Sequence, residues 1–276
     1  MSRDWLTVRQ GSAPLIVSMP HTGVDIPPEI EAGLTSPWLA RKDTDWWIDR
    51  LYAFAADLDA TIVRTAISRT VIDVNRDPSG ASLYPGATTT ELCPTTTFDG
   101  EPLYPPGAAP DADEIARRRA LYFEPYHQTL SGEIARLRGG HGHVVLYDAH
   151  SIRSRVPRLF DGDLSQFNIG TNSDATCDPA LTDAVAAICA GSGLSHVANG
   201  RFKGGYITRR YGDPAGGVDA VQMELACRGY MADPIDPPPP ETWPAPFDSA
   251  FAAPLAAVLK QILAACLIHS RKQRPT

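Results

Sequence analysis

No two cysteines in this sequence stand in a CxxC pair. Five are present, Cys93, Cys177, Cys189, Cys227 and Cys266, an odd number at wide spacing. That pattern excludes a cysteine zinc knuckle and argues against a disulfide framework; it fits reduced thiols in the cytoplasm. The amino-terminal Met1-Ser2-Arg3-Asp4-Trp5 lacks the apolar core of a signal peptide. No run of about 18 apolar residues is seen, so a membrane-spanning helix is not expected. Excess positive charge is lacking as well: the net charge is −7 and the pI about 5.5, which argues against a nucleic-acid binder. A small anionic substrate is still open to such a chain, because a few arginines can dominate one pocket. No internal repeat is visible. There is no GxSxG elbow, and Ser151 directly follows His150, so the two side chains point apart in an extended chain; both facts disfavour a serine hydrolase.

What is present is core-forming material. The chain has 276 residues, 43% of them hydrophobic, enough for one α/β domain spanning residues 1–276 rather than two small ones. Leu15–Met19 is a continuous apolar run and reads as a buried strand. Residues 60–65, 71–74, 144–149, 204–210 and 220–225 read as further strands, with 144–149 the clearest. Helical spacing marks residues 43–58, where Trp47, Leu51, Phe54, Ala55 and Leu58 share a face and Asp43 or Thr44 is placed to cap. Residues 111–137, 179–190 and 247–268 are also helical, with Asp111 or Asp113 as a cap and Pro125 dividing the first of them. A loop rich in Pro, Gly and Thr fills residues 77–110, including Tyr84-Pro85-Gly86, and is a pocket wall or a surface excursion. A proline run at 237–240 resembles a linker. Strands alternating with helices predict an α/β fold with a mixed, mainly parallel sheet, whose site lies beyond the carboxyl ends of strands.

Two histidines stand at such ends. His21 follows the first buried strand in Pro20-His21-Thr22-Gly23, and His150 follows the clearest one in Asp148-Ala149-His150-Ser151. A lone histidine after a strand is most often a satisfied loop or core residue. Two of them suggest a catalytic zinc site, which needs a third protein ligand and a water. That ligand should be a carboxylate: Asp45 is favoured, with Asp25 and Asp43 in reserve. Helix capping is the plain alternative for Asp43 and Asp45. Asp148 lies on the same side of the chain as His150 and suits the imidazole's other nitrogen. The remaining histidines compete poorly: His141 and His143 sit at the wrong end of their strand, His127 is mid-helix, His196 lies in a short segment and His269 in the basic tail.

Glu224, in Val221-Gln222-Met223-Glu224-Leu225, is a charge inside an apolar strand, costly unless it faces a cavity. There it could serve as general base. Pairing to an arginine is its plain alternative. Arg69, Asp73 and Asn75 alternate along one side of a segment that Arg76 ends. Arginine forks suit a substrate carboxylate, although at least one of them should pair with Asp73. A second basic group, Arg201, Lys203, Arg209 and Arg210, brackets Gly204-Gly205-Tyr206; Tyr206 and Arg209 are placed either at substrate or on solvated surface.

As an ordered set these stretches resemble the N-formylglutamate amidohydrolase (deformylase) family. They are Ser18-Met19-Pro20-His21-Thr22-Gly23, Asp43-Thr44-Asp45-Trp46, Ser68-Arg69 through Asn75-Arg76-Asp77-Pro78, Asp148-Ala149-His150-Ser151, Gly200-Arg201-Phe202-Lys203-Gly204-Gly205-Tyr206-Ile207-Thr208-Arg209 and Val221-Gln222-Met223-Glu224-Leu225. The resemblance implies a zinc-carboxypeptidase-like fold and hydrolysis of N-formyl-L-glutamate to formate and glutamate in histidine degradation. It implies one zinc ion on His21, Asp45 and His150, Glu224 as base and Arg69 at the oxyanion. Asn75, Arg76, Lys203, Tyr206 and Arg209 would be the substrate contacts. The His-x-x-Glu pair of the related peptidases is absent, because position 24 is Val. The rival readings are a hydrolase of another N-acyl amino acid and a non-catalytic carboxylate sensor. The partner expected is a small anionic molecule, with no nucleic acid and no membrane, and a homo-oligomer is left open.

Overall fold

A computed structural model describes residues 4–81, 86, 89–234 and 238–273. Tyr84 and Pro85 of the loop, Pro237 of the proline run and Met1, Ser2 and Arg3 lie outside the described residues.

Seven strands are seen among the described residues: β1 (Leu6–Arg9), β2 (Leu15–Met19), β3 (Thr61–Thr65), β4 (Val144–Ile152), β5 (Phe167–Gly170), β6 (His196–Ala198) and β7 (Val218–Ala226). They form one sheet in the order β1-β3-β2-β4-β7-β5-β6. The pairs β2/β3, β2/β4, β4/β7 and β5/β6 are parallel, whereas β1/β3 and β5/β7 are antiparallel. The fold is therefore α/β with a mixed, mainly parallel sheet. Every residue of β2, β4 and β7 is buried, as expected for strands covered on both faces.

The helices are α1 (Pro28–Glu31), α2 (Ile48–Leu51), α3 (Ala112–Arg118), α4 (Glu124–His141), α5 (Pro179–Gly191), α6 (Tyr206–Tyr211) and α7 (Ser249–Lys272). One face of the sheet packs on α2, α5 and α7 through Leu15, Val17, Tyr147, Val221, Met223, Leu259 and Leu263. The other packs on α4 and α6 through Ile16, Val63, Leu146, Ala220, Leu130 and Ile207. Alternation along β4 and β7 decides which residues go where. Odd positions of β4, such as Val145 and Tyr147, enter the first core; even positions begin apolar at Val144 and Leu146 and turn polar at Asp148 and His150.

Four expectations are corrected. Residues 43–58 are not one helix. Trp47 has φ +63°, α2 lasts one turn, and a 3₁₀ segment Ala53–Leu58 follows. Tertiary contacts hold this break: the Trp47 Nε1–H donates to Ala245 O, and its ring lies under Arg50 and beside Phe247. Neither Asp43 nor Thr44 caps α2, whose N-cap is Trp47. Residues 71–74 form turns instead of a strand, although Val71, Ile72 and Val74 are buried. Residues 204–210 are not a strand either: Gly204 has φ +104° and α6 begins at Tyr206. That first turn is capped from a distance, because the Ile207 N–H donates to Asn75 Oδ1. By length and composition alone α7 is long and apolar enough to cross a membrane. Here Leu255, Leu259, Ile262, Leu263 and Cys266 are buried in the core.

The expected division at Pro125 is seen. Asp111 caps α3 by accepting from the Glu114 N–H, a π turn spans Arg119–Phe123, and Pro125 lies in the first turn of α4. All five cysteines are free and buried.

Candidate metal centre

β2 ends at Met19 and delivers His21 to the carboxyl edge of the sheet, where Gly23 lets the chain pass against Ala66. A Cβ on Gly23 would stand 2.4 Å from the Ala66 backbone. On β4, Asp148 and His150 share a face, and the β7 residues in register with them are Gln222 and Glu224. The Asp45 N–H donates to His21 O, and Asp45 Oδ2 accepts from the Ser151 N–H. Three separate segments therefore converge.

His150 Nδ1 lies 3.1 Å from His21 Nδ1 and 3.1 Å from Asp45 Oδ2, and His21 Nδ1 lies 3.7 Å from the same oxygen. All three side chains are buried. A four-coordinate ion with bonds of about 2.0–2.1 Å has ligand atoms roughly 3.3 Å apart, which the triangle matches. The far ring nitrogens are engaged: His21 Nε2 is 2.7 Å from Asp73 Oδ1, and His150 Nε2 is 2.8 Å from Asp148 Oδ2. With each Nε2–H donating to a carboxylate, both Nδ1 lone pairs face Asp45. A cation satisfies three such acceptors at once. The donor set thus fits a divalent metal of zinc type.

The electrostatics agree. Burial would raise the Asp45 pKa, but hydrogen bonds to His150 and His21 hold it below the usual carboxylate range. Burial opposes charging His150, and the Asp148 and Asp45 carboxylates outweigh it, so its pKa lies well above the ordinary value. For Glu224 burial dominates and pushes the pKa up to about 8.

Around this triangle lies a pocket of about 620 Å³, open to solvent. Glu224, Arg69, Asn75 and Arg76 line it together with the two histidines; so do Arg201, Gln222, Phe98, Phe202, Thr89 and Thr90. Arg69 is fixed: Nη2 is 2.8 Å from Asp73 Oδ2, Nη1 is 3.4 Å from Asp45 Oδ1, and the guanidinium stacks over Phe98. Asn75 donates to Asp148 Oδ2 and lies 3.1 Å from His150 Nε2. The Arg76 Nε is buried without a hydrogen bond, 3.4 Å from Asp73 Oδ2.

A model of the N-formylglutamate amidohydrolase family matches residues 13–231. The chain belongs to this family.

Two N-formylglutamate deformylases share 48% identity with it. The one from Pseudomonas aeruginosa aligns over 97% of this chain and 98% of its own length; the one from Pseudomonas putida aligns over 95% of each. The fold resembles the crystal structure of an N-formylglutamate amidohydrolase from Ralstonia eutropha, with a TM-score of 0.75 at 21% identity over 97% of both chains. A gene product of Agrobacterium tumefaciens gives 0.69 at 21% identity over 96% of this chain and 95% of that one.

Within the amidohydrolase scaffold not every expected contact reaches the pocket. Lys203, Tyr206 and Arg209 do not line it. The Lys203 carbonyl accepts from the Asn172 N–H, the Tyr206 ring packs on Phe123 and His127, and the Arg209 Nε donates to Gly204 O. What the segment contributes is Gly205, so close to Asn75 that a Cβ would stand 2.5 Å from its side-chain nitrogen. The two reserve carboxylates go elsewhere: Asp25 is exposed, and Asp43 accepts from the Phe98 N–H at 2.6 Å. That bond, with Lys42 bridging Asp99 and Glu101, anchors part of the 77–110 loop as a pocket wall. Sequence reasoning missed Gln222, Phe98, Phe202 and the Asp73–His21 bond. Only Gln222 carried a signal, two positions before Glu224 on the same strand face.

Proposed function

We propose that this chain hydrolyses N-formyl-L-glutamate to formate and L-glutamate, with one zinc ion held by His21 Nδ1, Asp45 Oδ2 and His150 Nδ1. The observation that carries the reading is the buried triangle of those three atoms at 3.1, 3.1 and 3.7 Å beside Glu224. The names of both Pseudomonas relatives support the substrate.

When bound, the ion supplies Lewis acidity, polarising a carbonyl oxygen and lowering the pKa of a water beside it to about 7. The side chains do the rest. Glu224 takes the proton from the attacking water and returns it to the amide nitrogen as the C–N bond breaks, so formate and a free amine leave. Arg69, held by Asp73 and Asp45, presents fixed positive charge to the developing oxyanion. Asn75 and Arg76 grip a substrate carboxylate. Arg201, also on the pocket wall, supports a dicarboxylate over a monocarboxylate substrate. Lys203, Tyr206 and Arg209 are not among the residues lining this wall, and no substrate contact is assigned to them.

The reaction suits the last step of a histidine-degradation route. Five free, buried thiols support a reducing cytoplasm. Small anionic metabolites are the partners; nucleic acid and membrane have no part. Formate release from a panel of N-formyl and N-acetyl amino acids, with and without chelator, tests the reading. Faster turnover of an N-acetyl substrate would redirect it to another amide, and activity unmoved by chelator would remove the ion.

A further inference from the structure

A second group of metal-type ligands lies at the opposite end of the sheet. His143 stands just before β4, Asp219 is the second residue of β7, and His269 is in the last turn of α7. The two Nε2 atoms lie 2.6 and 2.9 Å from one oxygen, Asp219 Oδ2. The rings are T-shaped to each other, with centroids 5.8 Å apart. The other Asp219 oxygen accepts from the Asp178 N–H at 2.6 Å, which fixes the carboxylate and turns Oδ2 to the imidazoles.

We propose that His143 Nε2, Asp219 Oδ2 and His269 Nε2 form a second divalent-cation site, of zinc type, that fastens the carboxyl-terminal helix α7 to the sheet. Charge supplies the first reason. Asp219 is fully buried, and among the described residues no lysine or arginine pairs with it; its partners are the two imidazoles, each charged only when protonated, and the Asp178 N–H. Asp73 differs, since Arg69 and Arg76 both approach it. A buried carboxylate needs a cation or a full set of donors.

Donor chemistry supplies the second. Two imidazoles and one carboxylate suit zinc and leave the fourth position for water. The histidine side chains, 8% and 11% exposed beside a carboxylate at 0%, give that water a way in. Seating the ion requires opening the contacts by about half an ångström, to the roughly 3.3 Å between ligands of a tetrahedral ion. His269 can supply this movement from the end of its helix. The site is separate from the pocket. Asp219 is on the opposite strand face from Glu224 and five residues away, roughly 17 Å along the strand. Its role is structural, and it does not depend on what the pocket hydrolyses.

The test uses the full chain without a histidine tag, stripped with chelator and titrated with Zn²⁺. Bound metal is counted by equilibrium dialysis and thermal unfolding is followed. The H150Q variant, with its pocket site broken, should still bind one equivalent and melt higher with zinc. H150Q/H269Q should bind none, and its melting should not respond. H150Q/H143Q, altered on a different element, should lose the same equivalent. Failure of H150Q to bind zinc would overturn the proposal, leaving a purely hydrogen-bonded cluster. So would an equivalent that survives both double variants.

Discussion

His150 on β4 and Glu224 on β7 are direct register partners across a parallel strand pair. Their side chains therefore leave the sheet on the same face, at the end where the strands stop being apolar. Asp148 and Gln222, one step back, repeat the relationship. A metal-type imidazole, its carboxylate partner, a buried acid and an amide are thus set by two rigid strands instead of by loops. The rigidity makes single substitutions informative.

Glu224→Gln keeps the shape and removes the proposed base. At saturating N-formyl-L-glutamate, kcat should fall by about 10²–10⁴-fold while metal content is unchanged. A fall of less than tenfold with the metal retained would mean that another group moves the proton.

Asp73→Asn weakens the acceptor that orients His21. Affinity for zinc, measured by competition with a chromogenic chelator, should drop by about 10–100-fold. Arg69 and Arg76 lose a partner in the same variant, so Asp148→Asn, altered on the other histidine, should show a similar drop. Unchanged affinity in both would show that the carboxylates do not tune the ligands.

Arg76→Lys removes a planar fork and keeps the charge. We expect KM for N-formyl-L-glutamate to rise by about tenfold or more, with kcat altered less, because a point charge cannot replace a bidentate contact. Equal KM values for the two proteins would remove Arg76 from substrate binding.

His127 couples stability to pH. Its Nε2–H donates to Val74 O, and burial, the largest influence, pushes its pKa down to about 4. The unfolded chain takes up this proton near the ordinary value of about 6.5, so stability is present above that pH and falls as pH drops toward 4. Between pH 7 and pH 5 the histidine accounts for a loss of about 2 kcal/mol. Urea unfolding should show His127→Gln losing less stability than the parent over that interval; parallel losses would refute the assignment.

The legible parts of this protein were those governed by local period and polarity. Leu15–Met19 and residues 144–149 and 220–225 read as buried strands because apolar residues dominate them, with polar ones gathering toward the sheet's carboxyl edge. Helical spacing misled at residues 43–58: the apolar phase was real, but the Trp47 contacts with Ala245, Arg50 and Phe247 impose a left-handed residue. The strand expected at 204–210 fails for a similar reason, because Asn75 reaches across to cap a helix there. His143, at the wrong end of its strand, and His269, in the basic tail, show no connection in the sequence, because distance along the chain hides the carboxylate they share.

By itself the sequence determined the fold class and the end of the sheet at which polar chemistry gathers, since burial forces apolar continuity and strand alternation forces facing. Only the tertiary structure decided that Asp45, not Asp25 or Asp43, meets the two histidines, that Asp73 and Asp148 hold their far nitrogens, and that Lys203, Tyr206 and Arg209 are not among the residues lining the pocket. Those choices depend on contacts between segments far apart in the chain, and their geometry is fixed only when both faces of the sheet are packed.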